Sequence, residues 1–200
     1  GCLYIYTDGS SLPSPRRGGM GVRYVYLDDQ EKEYRIDLDL DGHEGATNNQ
    51  MELKAVIEGI KQHSLQAIEE PFKRIEIRTD SRYVADHKDL AIYNWSRNGW
   101  KNKDGRPVEN AELWKELIKV LRGAGCRVDF EWVKGHSRDD DNKAVDKLAK
   151  KSAKSLLKDP IALVKLRRKQ TTEKTKVGSI EMKGQRVKIY IINDSFLRLS

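Results

Sequence analysis

The sequence predicts an α/β fold: a five-stranded mixed sheet, in which a three-strand antiparallel meander is continued by parallel strands, flanked by helices and followed by a small C-terminal β extension. Three observations lead there. Segments that alternate or are rich in aromatic and β-branched residues recur at 3–7, 20–27, 32–38, 73–79 and 127–133. Helical apolar spacing fills the stretches between the third and fourth and between the fourth and fifth of them. Polar loops with Gly and Pro punctuate the boundaries.

The first three segments, joined around Asp28-Asp29, make the meander. From Asn48 a helix is expected, with Leu53, Val56, Ile57 and Ile60 on one face, fading before Pro71. Residues 73–79 place Ile75, Ile77 and Thr79 on one side and form a strand ending at Asp80. Strand, helix, strand predicts a right-handed parallel crossover. Residues 81–97 read as a broken helix, 98–110 as a polar loop and 111–122 as a helix bearing Leu113, Leu117, Ile118 and Leu121. The fifth strand, 127–133, leads through GHSRDDDN to a helix from about Asp141 to Leu157, which buries Val145, Leu148, Ala149 and Leu156. The order is βββαβ(αα)αβα, with no internal repeat.

At Lys158 the character changes. Asp159-Pro160 breaks the helix, Lys165 to Lys176 is dense in positive charge, and 179–192 resembles two strands turning at Lys183-Gly184. The expected division is therefore 1–157 as one domain and 158–200 as a basic linker with a hairpin-like extension. The net charge of +7 lies wholly in the second part: residues 1–157 hold 27 Lys and Arg against 27 Asp and Glu, residues 158–200 hold 11 against 4. Such a tail is expected either to track a polyanion or to pack its strands on the domain.

Composition excludes several classes. No apolar run approaches the length of a membrane helix, and no secretory leader follows Gly1, although a start at Gly rather than Met leaves room for a trimmed end. Cys2 and Cys126, without CxxC spacing, argue against a disulfide framework or a zinc site. A monomer in a reducing, cytoplasmic (intracellular) setting is expected.

Four acids carry the chemistry. Asp8 and Asp80 are placed at the C-terminal ends of predicted strands, Glu52 early in the helix between them and Asp146 near the start of the last helix. Carboxylates gathered at strand ends repel one another unless a divalent cation joins them, and Mg²⁺ prefers such oxygen ligands. Taken singly, each acid reads more simply as a cap or surface charge. Their shared context decides otherwise.

That context is TDGS at 7–10, GGMG at 18–21, TNNQMEL at 47–53, TDSRYV at 79–84, NW at 94–95, NGWK at 98–101, LW at 113–114, and WVKGH at 132–136 with Asp146 ten residues on. Over residues 1–157 it resembles type 1 (bacterial-like) ribonuclease H. The resemblance implies a ribonuclease H-like fold and hydrolysis of the RNA strand of RNA–DNA hybrids, leaving 5′-phosphate and 3′-hydroxyl ends. It further implies two Mg²⁺ ions, with Mn²⁺ as a substitute, held by Asp8, Glu52, Asp80 and Asp146. His136 takes the place of the family's loop histidine, which helps proton transfer or product and metal release.

For the substrate, Asn48, Asn49 and Gln50 match the stretch that reads the minor groove, where 2′-hydroxyls are exposed; Asn48 also reads as the cap of its helix, and the two roles are compatible. Thr47 and Asn110 match a pocket for a phosphate of the DNA strand, Ser11 and Ser14 stand in a loop that touches RNA, and Ser10 and Asn142 complete the contacts. Loop 97–106, with Arg97, Trp100, Lys101, Lys103 and Arg106, resembles a basic handle, alongside Trp95. Three departures stand out: Ala91 replaces a stacking tryptophan, Gly45 stands where some relatives have an arginine, and Asp139-Asp140-Asp141 adds negative charge near His136. Two other readings compete, a nuclease domain of a larger reverse-transcriptase or mobile-element protein, and a non-catalytic hybrid-binding module. All four acids and His136 being present argues against the second.

Overall fold

Hairpin and crossover pairing set the sheet. The computed structural model describes residues 1–63, 72–135 and 139–155, and the backbone of Gly178–Met182 and Gln185–Ile191. The strands are β1 (Cys2–Pro13), β2 (Arg16–Leu27), β3 (Glu33–Leu38), β4 (His43–Glu44), β5 (Arg74–Thr79), β6 (Arg127–Trp132), β7 (Gly178–Met182) and β8 (Gln185–Ile191). The helices are α1 (Asn48–His63), α2 (Arg82–Tyr93), α3 (Ala111–Arg122) and α4 (Asp140–Lys154), with a 3₁₀ turn at Trp95–Arg97. Among the described residues no helix is long and apolar enough to cross a membrane.

All eight strands form one sheet, ordered β6-β5-β1-β2-β3-β8-β7, with β4 on β2. The meander is antiparallel, whereas β5 and β6 run parallel to β1. The mixed sheet is thus as predicted, and the differences lie in β1 and α4. β1 and β2 form one long hairpin from Tyr4↔Val25 to Pro13↔Arg16, so Asp8 lies inside β1 and not at its end. Local residue preference reads Pro13 and Gly18-Gly19 as loop, but cross-strand pairing overrides it and leaves only Ser14-Pro15 as the turn. Asp8 does stand where the parallel part stops, since β1 and β5 pair only to Thr7↔Thr79. Helix α4 spans Asp140–Lys154; the expected turn to Leu157 lies outside the described residues.

Two layers of helix enclose the sheet. On one face Leu3, Ile5, Val22, Tyr24, Ile75 and Ile77 are fully buried with Leu53, Val56 and Ile57 of α1 and Trp114 of α3. Each large side chain so buried contributes about 1.5–3 kcal/mol. On the other face α4 lies over β1 and β2, and a Cβ on Gly21 would run into the backbone of Val145. Glycine there lets helix and strand approach to backbone contact, with Val145, Ala149 and Ala153 fully buried between them.

The C-terminal extension continues the main sheet. β8 runs antiparallel along the outer edge of β3, from Tyr34↔Ile191 to Leu38↔Val187, and β7 pairs with β8. Without it β3 would expose a row of unpaired backbone groups, an aggregation-prone edge. The basic stretch Lys165 to Lys176 lies outside the described residues.

Ending the chain at residue 177 should therefore lower the melting temperature by roughly 4–8 °C, corresponding to about 2 kcal/mol at this chain length. Thermal unfolding of both proteins decides; equal melting temperatures would mean that the β3–β8 pairing adds no stability.

Candidate metal centre

Register brings the first two acids together. Thr7 and Thr79 are partners in the parallel β1–β5 pair, so the next residues, Asp8 and Asp80, emerge side by side. Beyond Asp80 the chain turns at once into α2, capped by Ser81, whose hydroxyl accepts from the Val84 N–H at 3.2 Å. Trp132, at the end of β6, donates its indole N–H to the Asp80 carbonyl at 3.1 Å, with Arg82 stacked 4.1 Å from its ring centroid. Gly135 follows, and a Cβ there would stand 3.0 Å from Asp80 Oδ2.

Glu52 arrives from α1. The helix opens with a reciprocal capping box: Gln50 N–H donates to Thr47 Oγ1 at 3.3 Å and Thr47 N–H to Gln50 Oε1 at 2.9 Å. Thr47, not Asn48, is therefore the cap. Asn48 instead donates from Nδ2 to Glu52 Oε1 at 3.3 Å. A Cβ on Gly9 would fall into the backbone of Met51 and Glu52, so the glycine after Asp8 is what admits the helix.

Carboxylate oxygens of Asp8, Glu52 and Asp80 lie within 4.8 Å of one another. Asp8 and Glu52 are buried, and Glu52 Oε2 has no hydrogen-bond partner. Burial first, then the charges of Asp80 and Asp146, push the Asp8 carboxyl up to about 7 from its ordinary 3.8. Burial first, then Asp8 and Asp80, raise Glu52 well above the usual carboxylate range. An orphaned buried oxygen amid mutually repelling carboxylates is the environment a hard divalent cation relieves.

The fourth acid stands at the margin. Asp146 is partly exposed and accepts from Lys150 Nζ at 2.7 Å, yet its charge reaches Asp8. Asn142, one turn before it, is buried, with Nδ2 at 3.4 Å from Asp80 Oδ2 and Oδ1 without a partner. His136 lies outside the described residues.

Of the other expected contacts, Ser10 and Ser11 continue β1 beyond Asp8, and Ser11 Oγ donates to the Ala46 carbonyl at 3.0 Å. Ser14 is in the turn that follows, and Asn49 and Gln50 in the first turn of α1. Asn110 adopts a left-handed φ of 56° at the cap of α3 and donates from Nδ2 to Tyr83 Oη at 3.1 Å. Trp95 is half-buried, stacked on His87 and edge-on to Trp114. Trp100 packs on the core beneath Lys115, and Lys101 is exposed. Ala91 is fully buried on the inner face of α2. Gly45 takes φ 74°, a value that disfavours any residue with a Cβ.

One reading needs correction and some residues were overlooked. The Asp139-Asp140-Asp141 run is not simply negative charge beside His136. Asp139 Oδ1 caps α4 by accepting from the N–H groups of Asp141 and Asn142, and Asp141 is paired with Arg23 and Arg35. Lys150, Gly9 and Gly135 escaped notice; the i,i+4 spacing of Asp146 and Lys150 was a legible signal.

A carboxyl whose folded pKa lies above its unfolded value contributes stability that is full below the unfolded pKa and lost as pH rises through the folded one. For Asp8 that window runs from about 4 to about 7. In chelator, the fall in melting temperature between pH 5 and pH 8 should be smaller in Asp8→Asn than in the wild type by roughly 4–8 °C. Parallel pH profiles would show that the carboxylates do not repel as their geometry requires.

The RNase H family profile matches residues 2–154. Ribonuclease H of Parvibaculum lavamentivorans is 40% identical over 146 residues, covering 73% of this chain and 88% of that protein. Ribonuclease HI of Neisseria meningitidis is 39% identical over 151 residues, covering 76% and 94%. Among solved structures, LC9-RNase H1, described as a type 1 RNase H with the type 2 active-site motif, superposes with a TM-score of 0.62 at 28% identity, covering 76% of this chain and 72% of that one. With its carboxylates converging where β1 and β5 part, and hydrolytic nucleases as its relatives, the chain belongs to the ribonuclease H family.

Proposed function

We propose that the chain hydrolyses the RNA strand of RNA–DNA hybrids with two Mg²⁺ ions, Mn²⁺ serving as a substitute, and leaves 5′-phosphate and 3′-hydroxyl ends. The observation that carries this is the meeting of Asp8, Glu52 and Asp80 with a buried, partnerless Glu52 oxygen among them. When bound, divalent ions would supply the positive charge that activates a water and steadies the departing 3′ oxygen.

The chain's own groups do the rest. Asp8, Glu52 and Asp80 offer the ligand oxygens, and partly exposed Asp146 completes the set at the solvent side. Asn142 Nδ2 orients the Asp80 carboxylate, and its Oδ1 is buried without a hydrogen-bond partner. Asn48 similarly orients Glu52, which leaves Asn49 and the β1 serines as groups for the 2′-hydroxyls of a minor groove. We assign His136, which follows Gly135 in the sequence, a proton-transfer role. A hybrid duplex would lie across the end of the sheet marked by Asp8 and Asp80, with the exposed Lys101 loop to one side.

A labelled hybrid in Mg²⁺, with duplex DNA and duplex RNA as controls, tests the reading. Cleavage is expected on the RNA strand of the hybrid alone, with 5′-phosphate ends. Asp80→Asn should stay folded and lose at least about a thousandfold in rate, several kcal/mol of transition-state stabilisation. Near-wild-type cleavage by folded Asp80→Asn, or equal cutting of all three duplexes, would overturn the assignment.

A further inference from the structure

We propose that Asp141 is a positioning residue of the metal centre: held between Arg23 and Arg35, it fixes the first turn of α4 on the meander and so sets where Asn142 and Asp146 stand against Asp8 and Asp80. The inference deepens the metal-dependent reading above and rests on it.

Asp141, the second residue of α4, is almost wholly buried. Its Oδ1 accepts from Arg23 Nη1 at 3.0 Å and from Arg35 Nε at 2.8 Å, and Arg35 Nη2 lies 3.4 Å from Oδ2. Arg23 also grips Asp37 with both arms of its guanidinium, Nε to Oδ1 at 2.6 Å and Nη2 to Oδ2 at 3.0 Å. Arg23 and Asp37 are direct cross-strand partners of β2 and β3. Beyond them β8 pairs Lys188 with Asp37 and Tyr190 with Arg35, so the strand carrying half of the network is held on both edges. Arg35 also pairs with Glu33.

Stabilising the helix end does not require this network. Asp139 already caps α4, and Asp140 in the first turn already suits the positive end of the helix dipole. Nor does apolar burial determine where that turn sits. Val145, Ala149 and Ala153 lie over Gly19 and Gly21, and Ser152 Oγ accepts from the Met20 N–H at 3.0 Å, contacts that hold α4 from Val145 onward and leave its first turn to other groups. Directional arginine–carboxylate bonds fix that first turn. The next residue, Asn142, is the one that reaches Asp80, and Asp146 follows one turn later on the same helix. Partners that orient ligand residues typically change metal affinity or activity by about 10- to 100-fold when removed.

The test uses the full chain. Asp141→Asn should weaken Mg²⁺ binding, measured by calorimetry on the free protein, by about tenfold and lower kcat similarly, with KM for the hybrid within about twofold. Asp141→Glu should restore most of both. In an Asp146→Asn background, Asp141→Asn should weaken Mg²⁺ binding by much less, about threefold at most, because both changes act through one helix. A lower melting temperature with wild-type Mg²⁺ affinity and kcat would show a purely structural role and overturn the proposal, as would full additivity with Asp146→Asn. If Asp141→Asn does not fold, Arg35→Gln, which removes the more exposed partner, must give the same pattern in smaller measure; unchanged Mg²⁺ affinity there would equally overturn it. Mg²⁺ affinity is read without substrate, so a failure of hybrid cleavage and a failure of positioning are separate results.

Discussion

Burial and mutual repulsion of three carboxylates crowded at one end of the sheet are the constraint on which the rest of the structure depends. Raising Asp8 from 3.8 to about 7 corresponds to roughly 4 kcal/mol of disfavoured charge at neutral pH. That is a large share of a typical folding free energy of 5–15 kcal/mol. The arrangement persists because its supports do not depend on it. Parallel register forces Asp8 beside Asp80, a capping box fixes the first turn of α1, and a dozen large side chains, Trp114 and Tyr24 foremost, are fully buried in the core behind them. Strain at the site is held by packing elsewhere, as is common at functional sites.

Outside the cluster, charge is treated in the opposite way. Arg23, Arg35, Asp37 and Asp141 form a balanced network beneath α4, and Lys54 is buried against Glu58 and Glu116 between α1 and α3. Buried charges are tolerated when each finds its opposite. At Asp8, Glu52 and Asp80 no cation among the described residues enters the cluster itself; Lys150 is bonded to Asp146 at its margin. This contrast separates structural ion pairs from a site that calls for a ligand.

Much of this was legible in the sequence, and the misses have physical causes. The strand closing at Thr79-Asp80 and the face Leu53, Val56, Ile57, Ile60 follow from period alone, and all four helix positions are buried as expected. The continuation of β1 past Asp8 was hidden because Pro13, Ser14 and Gly18 favour loops, while the hairpin register that extends it is a property of two segments together. The capping box Thr47-x-x-Gln50 is written in the sequence, but Asn48, one residue on, is as good a cap by residue type, and only the hydrogen bonds decide between them. The role of Asp141 was not visible at all. Its partners lie 118 and 106 residues away, and only the fold brings them to it. The two strands near the C-terminus showed in their alternation, whereas their docking edge, β3, did not, since any open edge offers the same backbone groups.

If carboxylate repulsion relieved by divalent cations is the principle of this site, Mg²⁺ must stabilise the folded chain only where the carboxylates are charged. The direct measurement is melting temperature against Mg²⁺ concentration at pH 8 and at pH 5, for the wild type and for Asp80→Asn. The wild type at pH 8 should gain about 2.7 kcal/mol when Mg²⁺ reaches a hundred times its dissociation constant, with little gain at pH 5 and little in Asp80→Asn. An equal rise at both pH values, or the same rise in Asp80→Asn, would contradict the account.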